Sequence, residues 1–566
     1  MRKRSRKRLI AWILLAALPV LYLGEERLRG EWLLARYKRQ LIARGEKLTI
    51  EELTPPLPKG TNVMILDAFE AQKLLDVGGR LRREFPGFAM ALGPGKAVVS
   101  WQRDRWFDEE LARSGRARWS GDPARTYTWD DYLQATETTR KRLPDLRHQT
   151  TNQSFHIDLD YGEGPALLLP HLSAFRGACI ALCQAAAYDL HTGNLDRAIE
   201  NLHASALLTA RLEPGPLLID QRVRVSMGAI TTEAIWEALQ AKRWTDPQLA
   251  LLQADWQSVR FTPQAINALQ MERATLAASF PGERLFSTEL LQAYAGLLWD
   301  LGWEGPFAAL EGIVPRKILG SITPPMLDEM VVVMWRHVWA PHDQRLFLES
   351  LQELIALGHQ ADALRTLKIL FNIADPQPGS LNGPADLATF HKACQPEPKH
   401  LFSSVFLESL ERSLTKPARA DAWNQVMLTA IALKRFQLKH GHWPDELAAL
   451  VPEFLPELPI DWMDGQPLRY RLRDDGSYLL YSVGADGIDQ GGSPEPVDEA
   501  NPDWMNAKDF VWPQPAIPEE VAAADAETAA RAATLSPPPP QMDEAMMRRY
   551  GLLPPPEPDD ADDAPE

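Results

Sequence analysis

The chain opens with an apolar run, Leu9 to Leu23 (LIAWILLAALPVLYL), that contains no charge. From Glu25 to about Gly45 the pattern turns amphipathic, with Leu28, Trp32, Leu33, Tyr37 and Leu41 at spacings of four, one, four and four. That periodicity predicts a helix, and Leu53 to Lys59 (LTPPLPK) ends it because consecutive prolines remove donors and force extended backbone. An irregular and helical stretch follows to about Gln149, with WQRDRW (Trp101 to Trp106) as its most aromatic patch. Residues 168–240 repeat apolar positions at three and four, interrupted at His191-Thr192-Gly193-Asn194, where glycine suits a left-handed cap between two helices. Tyr188, Gly193, Ala198 and Ala206 also suit one tetratricopeptide-type unit, but no second copy follows at the expected period, so an ordinary αα-hairpin is the simpler reading. Helical register continues over 247–375, with turn signals at Phe280-Pro281-Gly282, Trp303-Glu304-Gly305-Pro306 and Pro324-Pro325. Asp375 to Pro398 reads as a linker.

Residues 417–512 have a different pattern. A helix over Ala418–Lys439 carries Val426, Ala430, Leu433 and Phe436 on one face, with Gly441 as terminator and Pro444 preventing resumption. A short helix is expected through Leu447 to Val451, then two strand-like runs, Leu468–Arg473 and Ser477–Val483, joined by the hairpin signal Asp474-Asp475-Gly476. A long helix on a small antiparallel sheet is the economical arrangement. From Pro513 the chain is Pro-rich and holds twelve acidic residues against three arginines, so a disordered tail is expected over 513–566.

The ordered motifs ALKRFQLKHGHWP, LPIDWMDGQPLRYR, YSVGADGIDQGG and DFVW make 415–512 resemble the globular domain of major pseudopilins of type II secretion systems. In that family the final loop binds calcium. The resemblance implies carboxylates from Asp486, Asp489 and Asp509, with Ser482 and the Val483 carbonyl nearby, on a loop that glycines let curl. The insertion SPEPVDEANPDWMNA before DFVW departs from the family's shorter loop, and the alternative is a plain turn whose aspartates cap backbone amides. The family's Phe-Thr-Leu-type start with a glutamate at the fifth mature position is missing, and residues 24–414 separate the apolar run from this module. A shared fold is implied, not assembly into the secretion pilus.

Charge and cysteine content narrow the function classes. The 566 residues include 60 basic and 76 acidic ones, a net charge of −16, which argues against sequence-independent nucleic-acid binding. Three cysteines and no CxxC exclude a disulfide scaffold and a cysteine zinc site. Six of the first eight residues are Lys or Arg, and set before the apolar run they form a membrane-targeting pattern. Fifteen residues at about 1.5 Å each span roughly 22 Å against a hydrocarbon core of about 30 Å. Tyr22, Leu23 and Gly24 make a poor cleavage site, so the expectation is a retained anchor over 9–24. Residues 1–8 would then be cytoplasmic, 25–52 an amphipathic stalk, and the bulk extracytoplasmic at the inner membrane.

Catalytic signatures are lacking: no HExxH, P-loop, GxSxG elbow or GxGxxG after a strand occurs. His156, Asp158 and Asp160 alternate in HIDLD as a metal could use, but such alternation is more often the wet face of a strand. Cys179 and Cys183, four apart among alanines, read as core. The expectation is therefore a mainly helical body over 60–398, built of hairpins or a bundle, followed by a small α+β module, with protein partners and a structural or interaction role in the envelope or secretion. The alternatives are an extracytoplasmic hydrolase with its site in 150–400 and a helical-repeat adaptor.

Overall fold

The computed structural model describes residues 2–58, 63–77, 90–93, 95–103, 105–107, 126–212, 215–278, 280, 331–366, 392–393, 397–484, 487–496 and 507–534. Helices α1 (Arg2–Ala43), α2 (Ile50–Leu53), α3 (Ala68–Leu75), α4 (Trp129–Ala135) and α5 (Glu137–Asn152) lead into the body. The body comprises α6 (Pro170–His191), α7 (Leu195–Arg211), α8 (Leu218–Leu239), α9 (Asp246–Gln257), α10 (Thr262–Ala278) and α11 (Ala340–Leu364). The long α12 (Leu401–His440) and α13 (Pro518–Thr534) follow. The protein is mainly helical, with a small strand-containing region toward its C-terminus.

Local sequence explains many boundaries. Thr49 with Glu52, Asp67 with Glu70, and Thr128 with Asp131 form reciprocal capping boxes that open α2, α3 and α4. The α6–α7 hairpin turns at Gly193, whose φ of 76° is left-handed, and α12 ends at Gly441 with φ of 81°. Both turns lie where the glycines predicted them.

Strands are short. The first six are β1 (Val63–Leu66), β2 (Met90–Gly93), β3 (Lys96–Val98), β4 (Arg105–Phe107), β5 (Thr126–Thr128) and β6 (Ser154–Ile157). β1 pairs in parallel with β6, whereas β2 with β3 and β4 with β5 are antiparallel. The C-terminal sheet has the order β7 (Arg469–Leu472), β8 (Tyr478–Val483), β9 (Asp509–Val511), all antiparallel. Its hairpin closes at the Asp474-Asp475-Gly476 signal, with Gly476 at φ 79° and the Asp475 carboxylate accepting from the Ser477 amide at 2.8 Å.

One hydrophobic core runs from Leu75 through the body helices to Phe510 and Trp512. The sheet therefore shares its core with the helices. Trp423 of α12 stacks on Phe510 at 5.5 Å, the Trp236 indole donates to the Pro513 carbonyl at 2.8 Å, and the Asn424 amide donates to the Val259 carbonyl at 2.9 Å. Helix α12 starts at Leu401, well before the expected Ala418, because its first turn is capped from another helix. The buried Asp343 carboxylate of α11 accepts the Phe402 amide at 2.8 Å and the Ser403 amide at 3.2 Å. Pro417 sits inside α12.

Two expectations at the chain's ends need correction. No helix among the described residues is long and apolar enough to cross a membrane. The fifteen apolar residues form one stretch of the longer α1, flanked on both sides by charged helical turns, and they fall short of the hydrocarbon thickness. This overturns the single-pass anchor over 9–24, together with the inner-membrane association and extracytoplasmic placement that rested on it. The stretch expected to be a stalk lies on the body: Leu41 is fully buried, and Arg27 donates to the carbonyls of Arg336 and His337, each at 3.1 Å. At the other end, the segment after Pro513 forms β10 (Gln514–Pro515), which pairs in parallel with β3, and then α13. Lys96 forms an ion pair with Glu520, so a partner remote in sequence supplies the order that composition did not suggest. The rest of the expected tail, 535–566, lies outside the described residues.

Candidate functional site

The loop expected to hold calcium is built around the ends of β8 and β9, where Val483 pairs with Asp509. Asp486 lies outside the described residues. The other oxygens of the expected set are already engaged by the protein. Asp509 accepts the amides of Gly492 and Ser493, each at 2.8 Å, and burial raises its pKa. Asp489 accepts the Tyr481 hydroxyl at 3.0 Å and the Gly491 amide at 2.9 Å, with the Arg469 guanidinium 3.4 Å away. The Ser482 hydroxyl is turned toward Asp461 at 2.6 Å and also reaches the Val483 carbonyl at 3.2 Å. A calcium shell needs carboxylate and carbonyl lone pairs facing one point, free of a competing cation. The described oxygens do not fit that requirement, because N–H and O–H donors meet them and Arg469 stands among them. Among the described residues, no cluster of three or more His, Cys, Asp or Glu could hold a metal ion.

The residue that organises this region, Asp461, escaped the sequence reading. Its buried carboxylate accepts Ser482 Oγ, the Val483 amide at 2.8 Å, the Met463 amide at 2.9 Å and Arg469 Nη1 at 3.0 Å. Burial pushes its pKa up to about 6, against the hydrogen bonds that favour the carboxylate. Its only local signal is the turn Asp461–Gly465, in which Gly465 has φ of 77°. Gly484 is equally constrained, since a Cβ there would lie 1.8 Å from the Lys508 carbonyl oxygen.

An open site lies in the helical body instead. A cleft of about 480 Å³ is bounded by three segments remote in sequence. Gln264, Asn267 and Gln270 of α10, three residues apart, line it from one helix face. Leu53, Pro55 and Pro216 form an apolar wall, and Lys47 adds a cation.

Each wall is held by buried polar groups. Arg273, fully buried, donates to the Glu46 carboxylate at 3.0 Å and to the Lys47 carbonyl at 2.9 Å, and the Gln352 amide donates to Glu46 at 2.8 Å. The turn before α8 is fixed by the Gln221 amide, which donates to the Gly215 carbonyl at 2.7 Å, and by the Asp220 carboxylate, which accepts the Leu217 amide at 3.1 Å. Burial pushes Asp220 up to about 7. The start of α10 is pinned by the Asp421 carboxylate, which accepts the Phe261 and Thr262 amides, each at 2.8 Å. These supports make the cleft preorganised rather than adaptable.

The other sequence candidates have structural roles. His156 pairs with Ile65 in the β1–β6 ladder, and Asp160 accepts the Gly162 amide at 2.9 Å. Cys179 and Cys183 are buried free thiols, at 3.2 and 3.5 Å from Ser205 Oγ. His342 Nε2 lies 3.0 Å from the Glu26 carbonyl and locks α1 to α11. His440 and His442 pack around Phe436. No protein-family model, curated protein or solved structure matches this chain.

Proposed function

We propose that the protein is a polypeptide-binding scaffold whose cleft between α10 and the Lys47–Pro55 segment receives an extended chain segment. The observation that carries this reading is the row Gln264, Asn267 and Gln270 facing an apolar wall of Leu53, Pro55 and Pro216. A carboxamide both donates and accepts, so it pairs with the alternating N–H and C=O groups of an extended backbone without demanding one side chain. The wall takes up aliphatic or proline side chains, and Lys47 favours a segment bearing a carboxylate. The volume lies within the usual range for ligand pockets, about 300–1,000 Å³. No nucleophile–base pair lines the cleft, and its residues suit recognition rather than turnover. In this reading the C-terminal helix and sheet, whose ordered motifs support the pseudopilin likeness, form the end of the scaffold.

The test is selection of ten-residue peptides from a random library on the full chain, followed by titration against the Gln264→Ala/Asn267→Ala/Gln270→Ala variant. At about 1 kcal/mol per lost hydrogen bond, the variant should bind the selected peptides at least about tenfold more weakly. Lys47→Glu should weaken only the acidic ones. A library that yields no binder, or binders indifferent to the triple variant, overturns the proposal.

A further inference from the structure

Helix α1 carries two stripes. One is engaged with the body: Glu26 and Leu41 are buried, the His342 ring sits 2.7 Å from where a Cβ at Gly30 would be, and Lys399 and His342 approach the Glu26 carboxylate at 3.8 and 3.4 Å. The other faces away from the body and is apolar. Leu21, Leu28, Trp32 and Ile42 are 68, 67, 56 and 61% exposed. Together with Leu18, also exposed, they fall on the series 18, 21, 25, 28, 32, 35, 39, 42, whose gaps alternate three and four. That is the a/d spacing of a coiled-coil seam, completed by Glu25, Ala35 and Arg39. Residues 18–42 make a seam about 37 Å long at about 1.5 Å per residue. A row of large apolar side chains on a helix already locked from behind marks an interaction surface.

We propose that a second copy of this chain covers the stripe, its α1 lying antiparallel so that Leu28 of each copy packs on Trp32 of the other. Charge selects both occupant and direction. A parallel pair would stack Glu25 on Glu25 and Arg39 on Arg39 within the seam. In the antiparallel register centred between Leu28 and Trp32, Glu25 meets Ala35 and lies one residue from the level of Arg36. Two-fold symmetry then supplies two Glu25–Arg36 pairs across the seam. Among the described residues Glu25 makes no ion pair within its own chain, and Arg36 lies 5.5 Å from the Trp32 ring, beside the contact it would flank. Each body stands behind its own helix, so the two-fold axis brings the bare stripes together without opposing the bodies.

Sedimentation velocity of the full chain tests this. The wild type should show a concentration-dependent dimer, and Trp32→Glu should weaken it on the order of thirtyfold or more with an unchanged far-ultraviolet spectrum. Glu25→Arg should weaken the dimer, and Glu25→Arg with Arg36→Glu should restore it, a rescue that a merely structural role would not show. Mixed Leu21→Cys and Arg39→Cys preparations should cross-link, whereas Leu21→Cys alone should not. A monomer at every concentration, a dimer untouched by Trp32→Glu, self-cross-linking of Leu21→Cys, or a monomer that instead binds vesicles of anionic phosphatidylglycerol would each overturn the proposal.

Discussion

The glycine- and aspartate-rich loop beside β8 and β9 and the cleft beside α10 are both assembled around buried carboxylates, yet only the cleft is open. In the loop, donors converge on the acids: Asp461 alone accepts from two amides, a hydroxyl and a guanidinium. In the cleft, the acids Glu46 and Asp220 stand behind the walls, and neutral amides face the opening. An acidic, glycine-rich sequence is therefore not by itself a ligand site. Where its own amides meet the carboxylates, it forms a self-closed turn that orders the chain. Where carboxylates instead fix the backbone behind a row of neutral polar residues that line an open cleft, a recognition surface results.

The largest expected effect is at Asp461. Asp461→Ala leaves the buried Ser482 hydroxyl and the Val483 and Met463 amides without their acceptor, while Arg469 keeps Asp464, and at about 1–3 kcal/mol per stranded donor the loss should be about 3–5 kcal/mol in urea unfolding. A loss below about 1 kcal/mol would mean that water replaces the carboxylate and the loop is not self-closed.

A smaller effect concerns Asp220, which supports the cleft. Burial raises it to about 7, far above its value in an unfolded chain. The folded protein therefore holds a proton that the unfolded chain has lost. This stabilisation is complete below about pH 4 and disappears as pH rises toward about 7. Asp220→Asn, which keeps an acceptor for the Leu217 amide, should flatten that fall and be more stable than wild type by about 1–3 kcal/mol at pH 8, as read from melting midpoints across pH. Glu237, also raised to about 7 by burial, follows the same sign, so the pH slope should persist in reduced form.

Gln221→Ala releases the Gly215 carbonyl and should cost about 1 kcal/mol of stability while weakening selected peptides about threefold or more. Unchanged peptide affinity would separate that turn from recognition. The smallest expected effect is zero: adding EGTA to the full chain should leave its melting midpoint unmoved. A downward shift would show that an ion does hold the loop and would remove its contrast with the cleft.

Elements closed by neighbours in sequence were the legible ones. Gly193 and Gly441 end helices because a left-handed residue without a Cβ is needed there, and Asp474-Asp475-Gly476 turns a hairpin because its own carboxylate and glycine complete it. The loop carboxylates were legible as types, but their partners were not. Nothing near Ser482 in sequence indicates that its hydroxyl serves Asp461. The cleft was illegible, since Lys47, Pro216 and Asn267 carry no shared motif and meet only through packing.

Periodicity, glycine turns and the hairpin signal, all effects acting over a few residues, were enough to establish a mainly helical protein with a small antiparallel sheet toward its C-terminus. Tertiary structure decided whatever depends on a remote partner. Asp343 sets where α12 begins, β3 orders the start of the acidic tail, and the body buries one face of α1 while leaving the other apolar face bare. The physical reason is that backbone dihedrals and nearest-neighbour hydrogen bonds are local, whereas the burial that assigns a carboxylate, an amide or a leucine its role exists only after distant segments have packed together.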